Sequence, residues 1–196
     1  MITLQQLNKI SPAIVGTRGQ LIADGINEVF PLYDMMQPKI LQATIPNLLH
    51  ESGEFTRFEE NLNYSIKGLL GTFSRKRISL SQCNQYGRID GKRAANKEAI
   101  ANIVYGGEFG KKNLGNVSPT DGWQLRGSGA LQQTGVWVIG GFTAYHNKRF
   151  STKYTMYEMA QMLRNQANIK LSLHAACWFI KEFKKKIPQA LSGNFK

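Results

Sequence analysis

Residues 38–53 read PKILQATIPNLLHESG, and this stretch decides the architecture. Ile40, Leu41, Ala43, Ile45, Leu48 and Leu49 fall at helical spacing, Pro38 suits a first turn, and Gly53 is a stop signal. Pro46 lies inside the series, so the spacing predicts a helix that either restarts or kinks there. The helix carries His50 and Glu51 to its end. The next stretch, 54–65, has poor periodicity and reads as irregular or briefly extended.

Outward from this helix the pattern stays helical. Thr3 or Ser11-Pro12 can open short helices, as Ser and Thr cap and Pro fits a first turn. Ile22, Ile26, Val29 and Phe30 predict an amphipathic helix around 19–30, ended by Pro31. Short helices are expected at Ile66 to Phe73 and Ser79 to Tyr86. Asn96 caps a clearer one from Lys97 to Tyr105, closed by Gly106-Gly107. More than half of the 19 glycines lie between Gly106 and Gly141, which predicts a set of turns around a close backbone approach. Thr155 to Gln166 and Asn168 to Ile187 read as two final helices, the second with Ile169, Leu173, Ala176, Ile180, Phe183 and Ile187 on one face. The fold class is mostly α, and no linker interrupts residues 1–196, which read as one domain.

Composition narrows the function. The chain has 196 residues, of which 42% are hydrophobic, enough for one core or two lobes sharing it. Lys and Arg total 25 against 13 Asp and Glu, a net charge of +12, which points to an anionic partner. The clusters Arg75-Lys76-Arg77, Lys92-Arg93 and Lys181 to Lys186 come with no nucleic-acid-binding fingerprint, so a wall polymer or membrane surface is the expected target. No apolar run reaches the ~20 residues of a membrane span, and the start lacks a secretory signal pattern. Cys83 and Cys177 sit among apolar or neutral residues and read as buried, inert thiols. His50, His146 and His174 are too scattered for a metal site, and no phosphate loop or dinucleotide pattern occurs, so neither metal nor cofactor is expected.

The acids are distributed unevenly. Glu51, Glu54, Glu59 and Glu60 crowd into one short stretch, with only His50 and Arg57 as possible positive neighbours. Two readings remain open: an exposed acidic turn, or paired carboxylates for acid–base chemistry. On the second, Glu51 at the end of an apolar helix is expected to be half buried, as suits a general acid. Gly53 then lets the chain turn so that Glu60 faces it. Inverting glycosidases hold two such carboxyl groups roughly 6.5–9.5 Å apart, leaving room for a water.

Residues 50–55 (HESGEF) and 60–65 (ENLNYS) resemble the catalytic region of family 19 glycoside hydrolases, the chitinase-like group, and within it compact bacteriophage endolysins. The similarity continues through 99–105 (AIANIVY), 121–123 (DGW) and 126–135 (RGSGALQQTG), with an echo at 175–179 (AACWF). It implies a lysozyme-like, two-lobed single domain with a central cleft and at most a small β element. It also implies Glu51 as general acid, Glu60 as general base and Thr134 as a holder of the attacking water. Gln132, Tyr64, Asn61, Arg126 and Trp123 are the implied substrate contacts, with His50 a supporting residue or hydrogen-bonder. Glu54 and Glu59 become solvated neighbours.

Three departures stand out. The family's Gly-Arg-Gly is Gly127-Ser128-Gly129 here, the Asn-Asn-Tyr after Thr-Gly is replaced near Val136-Trp137-Val138-Ile139, and the late Asn-Gly-Gly motif has no counterpart at Ser192-Gly193-Asn194-Phe195-Lys196. The expected function is a monomeric, phage-encoded endolysin cutting β-1,4 bonds of peptidoglycan, with no nucleic acid expected as a partner. It would be made in the host cytoplasm and act in the periplasm on the cell wall, or be carried in a virion. A chitinase and a catalytically decayed wall-binding protein are the alternatives.

Overall fold

The structure, a computed structural model, describes residues 1–192. Residues 193–196, on which part of the comparison with the late Asn-Gly-Gly motif falls, lie outside the described residues. In chain order the helices are α1 (Leu4–Ile10), α2 (Gly16–Val29), α3 (Pro38–Ser52), α4 (Ile66–Thr72), α5 (Leu80–Tyr86), α6 (Lys97–Val104), α7 (Gly107–Leu114), α8 (Asp121–Gln124), α9 (Gly141–Phe150), α10 (Met156–Arg164), α11 (Ile169–Trp178) and α12 (Ile187–Ser192). Extended pairing among the described residues is confined to isolated bridges such as Glu59 with Ser128. The fold is mostly α, as expected.

The chain forms two compact units. The first takes Met1–Glu59, Ser128–Gln133 and the chain from Gln161 onward; the second takes Glu60–Gly127 and Thr134–Ala160.

In the first unit, Thr3 and Gln6 form a reciprocal cap at the start of α1. Ser11 does not open a helix. Its amide donates to the Leu7 carbonyl, ending α1, and its hydroxyl donates to the Glu54 carboxylate. Ile22, Ile26 and Val29 of α2 are buried, and a 3₁₀ turn over Phe30–Tyr33 takes up Pro31. Helix α3 runs unbroken through Pro46, whose ring lies on its exposed side, so the helix does not restart there. Helix α11 packs on α2 at Gly25, where a β-carbon would come within 2.8 Å of Leu173.

The helix expected over 168–187 is broken. After Trp178 the chain widens into a π turn over Phe179–Phe183, where the Lys184 amide donates to the Phe179 carbonyl at 2.8 Å. Lys185 then adopts a left-handed conformation (φ 52°), and α12 starts at Ile187 and packs on α3. Pro188 falls in the first turn of α12, a place that proline fits. Phe183, expected inward, is exposed.

In the second unit, Ser65, Ser79 and Asn96 cap α4, α5 and α6. Leu62, Leu69, Phe73, Ile78, Cys83, Ile100, Ala101 and Val104 form its main core. Helices α6 and α8 meet where Gly122 faces α6, and a β-carbon there would lie 2.4 Å from the Ala101 carbonyl oxygen. The segment 106–141 is more ordered than a set of turns. It contains α7, α8 and a π turn over Val136–Gly140, and α9 follows at once. Helix α7 (GEFGKKNL) buries only Gly110, and α9 (GFTAYHNKRF) buries Phe142, Thr143 and His146, so neither carries a run of core aliphatic residues. Helix α7 is ended by Gly115 in the left-handed region (φ 76°).

Candidate active site

Glu51 stands in the last turn of α3, which buries Ile40, Thr44, Ile45, Leu48, Leu49 and Ser52 on its other side. The carboxylate is therefore exposed, and the half-burial expected for it is not found. It lines a depression of about 320 Å³ in the first unit, walled by Leu48, Leu131, Phe179 and Ile180 and edged by Lys184 and Lys186.

The chain beyond Glu51 makes a tight reversal. Gly53, Glu54 and Phe55 all adopt positive φ (53°, 61° and 62°). Two such residues in a row that are not glycine are held by their surroundings. The Glu54 amide donates to Leu49 O at 2.7 Å, the Phe55 amide donates to Ser52 Oγ at 2.8 Å, and the Phe55 ring is buried. Arg18 donates to the Phe55 carbonyl. Glu54 is thus a tie to Ser11 rather than a freely solvated neighbour, while Glu59 and His50 are exposed.

Gln132 belongs to the same unit and has φ 49°. Its Nε2 donates to Arg57 O at 3.2 Å and to Gly129 O at 3.1 Å, which fixes the side chain on the loop. The neighbouring Gln133 is buried and donates to Ala175 O at 2.9 Å, so of the two adjacent glutamines Gln132 is the more accessible.

Glu60 opens the second unit and is held there on both oxygens. The Tyr105 hydroxyl donates to Oε1, and the Gly127 amide donates to Oε2 at 3.3 Å. The Glu60 amide in turn donates to Gly127 O at 3.0 Å, so backbone and side chain are both tied to the loop before Ser128. Burial, and then the Glu60 charge, push the Tyr105 phenol far above its usual range, which keeps it a proton donor toward the carboxylate. Tyr64 packs edge-on against Phe73, and its phenol is also raised, by burial first and Glu60 second.

Arg77 backs this group. Its Nε donates to Val104 O at 2.9 Å, and its guanidinium lies 3.8 Å from the Phe109 ring centroid and 5.6 Å from that of Tyr105. Burial lowers its pKa from the usual arginine value, against the opposing pull of Tyr105 and Glu60. Neither Tyr105 nor Arg77 emerges as a site residue from the sequence. Tyr105 closes the 99–105 motif, but its partner lies 45 residues away.

Of the other expected contacts, Asn61 is exposed and accepts from the Asn63 amide at 3.0 Å. Thr134 is half-buried. Arg126 is buried with its guanidinium 3.5 Å from the Trp123 ring centroid, and it donates to Trp123 O at 2.6 Å. Trp123 is anchored through its amide to Asn102 Oδ1 at 2.7 Å.

Cys83 and Cys177 are buried and unbridged, and burial pushes the Cys177 thiol far up, as expected of inert thiols. No group of His, Cys, Asp and Glu able to hold a metal occurs among the described residues, and no described helix is long and apolar enough to cross a membrane.

No family model matches the chain. A Haemophilus influenzae protein named a glycosyl hydrolase family 19 domain-containing protein is 31% identical over 181 residues, which is 92% of this chain and 78% of that protein. On that likeness the chain belongs to glycoside hydrolase family 19 and is a glycoside hydrolase.

Proposed function

We propose that the chain is an endolysin that hydrolyses the β-1,4 bond between N-acetylmuramic acid and N-acetylglucosamine in peptidoglycan, with inversion. Glu51 protonates the glycosidic oxygen as the bond to the anomeric carbon breaks. Glu60 takes a proton from a water that attacks that carbon from the opposite face, and Thr134 helps to hold the water. Tyr64, Asn61 and Gln132 contact the glycan, with Trp123 and Arg126 behind them.

The observation that carries this reading is the double tether on Glu60. A base must be fixed toward one water, and a carboxylate has lone pairs to spare after one donor on each oxygen. The Tyr105 hydroxyl and Gly127 amide supply those two donors. The net charge of +12 favours the anionic wall over neutral chitin. A monomer made in a phage-infected cytoplasm, reaching the wall at lysis or carried in a virion, fits this reading.

The test is digestion of outer-membrane-stripped cell walls, followed by mass spectrometry of the released fragments. Disaccharide–peptides ending in reducing N-acetylmuramic acid are expected. Reducing N-acetylglucosamine ends, or turnover of chitin alone, would overturn the bond assignment.

A further inference from the structure

The break after Trp178 changes what the basic run 181–186 can do. In a continuous helix Lys184 and Lys186 would point about 200° apart around the axis. Here the π turn and the left-handed Lys185 intervene, and the Lys186 amide donates back to Ile180 O at 2.9 Å. Lys184 and Lys186 consequently line one depression, the same one that Glu51 lines.

The chemistry of that depression is specific. Its walls, Leu48, Leu131, Phe179 and Ile180, suit the apolar face and methyl groups of an N-acetylated sugar. The Lys184 ammonium lies 5.5 Å from the Phe179 ring centroid, which steadies it without neutralising it. Lys186 is half-buried, and among the described residues neither lysine forms an ion pair with a carboxylate. Two cations thus face a sugar-sized hollow beside the residue read as the general acid. N-acetylmuramic acid differs from N-acetylglucosamine by a lactyl ether bearing a carboxylate or a peptide stem.

We propose that Lys184 and Lys186 form a carboxylate-binding subsite that seats the lactyl arm of N-acetylmuramic acid next to Glu51. The inference deepens the muramidase reading and rests on it for the identity of the sugar. It assigns to two residues of the basic run a direct role in substrate choice, beyond attraction of the whole protein to an anionic wall.

The test is a binding measurement that needs no turnover. N-acetylglucosaminyl-N-acetylmuramic acid and its lactyl carboxamide are titrated by NMR into the full chain at ~0.1 M salt. The wild type is expected to bind the acid roughly five- to tenfold more tightly than the amide, as two partly exposed charge contacts allow. In the Lys184→Gln/Lys186→Gln protein the ratio should fall to near one. Lys184→Arg/Lys186→Arg should keep most of it, and Lys9→Gln/Lys153→Gln, which removes the same charge elsewhere, should keep all of it. Equal binding of acid and amide by the wild type, no binding of the acid, or a ratio that survives the Gln pair would overturn the proposal. So would loss of the ratio in the Lys9/Lys153 control, since that is bulk electrostatics. Wall digestion run in parallel separates the two readings: failure to cut walls with the acid-to-amide ratio intact removes the muramidase assignment and leaves the subsite standing.

Discussion

Glu51 and Glu60 are presented in opposite ways. Glu60 is fastened by a hydroxyl and an amide on its two oxygens, with the aromatic–guanidinium group of Tyr105, Phe109 and Arg77 behind it. Glu51 projects from a helix end into solvent, beside apolar walls and two lysines. The contrast suits the two tasks proposed for them. A base that orients one small water needs its position set in advance. An acid that must meet the oxygen of a bound polymer can have its surroundings completed by the polymer, which excludes water as it seats.

The largest effect should come from erasing both sides of the contrast in turn. Glu51→Gln and Glu60→Gln should each lower wall digestion by two or more orders of magnitude while leaving the circular dichroism spectrum and melting temperature intact. If one variant stays within a few-fold of wild type, that carboxylate does not carry a proton in the reaction. The fate of the anomeric configuration, read by NMR on a soluble oligosaccharide, sharpens the comparison: initial release of the inverted anomer is expected, and retention would remove the role given to Thr134.

Loosening Glu60 without removing it is the next test. Tyr105→Phe deletes the hydroxyl that holds Oε1, a charged hydrogen bond for which losses of about tenfold or more are typical. Turnover should fall by about that factor, whereas Tyr154→Phe, whose hydrogen bonds run through its backbone to Asn147, should change it much less. Equal losses in both would mean that the tether is not what matters.

A third test acts on the frame behind the tether. A methyl at Gly122 would push on the α6 backbone, since its β-carbon meets the Ala101 carbonyl at 2.4 Å. Gly122→Ala should destabilise by about 1–3 kcal/mol, the usual range for overpacking. Gly71 offers the counterpart: nothing lies within 4 Å of an added β-carbon in α4, and Gly71→Ala should be neutral or stabilising by under ~1 kcal/mol. Chemical denaturation of the two variants checks both signs.

The smallest effect concerns acidity in the second unit. His146 on α9 is buried against Phe142 and Phe150, and this burial lowers its pKa below the usual value of 6.5. The unfolded chain therefore binds a proton there more readily. Stability from this residue is present above pH 6.5 and is lost as pH falls below it. Melting temperature should decline between pH 7.5 and 5.5, and His146→Gln should flatten that part of the decline.

The caps and apolar stripes at Thr3, Ser79, Asn96 and α3 were legible because helix ends and faces are written locally. Glu51 and Glu60 stand out as candidates in the sequence through the crowding of acids and the motifs around them. Helices α7 and α9 were not legible, because α7 sends only Gly110 into the interior and α9 only Phe142, Thr143 and His146, so neither carries a run of core aliphatic residues. The tether on Glu60 was hidden for a different reason: Tyr105 and Gly127 reach it only once the core of the second unit has packed. The exposure of Glu51 depends on which side of α3 finds partners, and its apolar neighbours in sequence mislead on that point. The break after Trp178 was not legible, because the apolar spacing continues through Ile180 and Phe183 while the backbone widens and Lys185 turns left-handed.

The division of the chain bears on how such a protein can be made and taken apart. Three separated lengths build the first unit, and the short middle one, Ser128–Gln133, ties the other two: the Gly129 amide donates to Phe58 O at 2.8 Å and the Ala130 amide to Ser172 Oγ at 2.7 Å. On the ribosome the second unit has all its residues once Ala160 has emerged, whereas the first waits for the segment that carries Ser172. Glu51, translated early, therefore gains its finished surroundings late. A single stop codon or one proteolytic cut cannot yield the first unit alone, and a gene fragment carrying α1 to α3 would encode Glu51 without the scaffold that surrounds it.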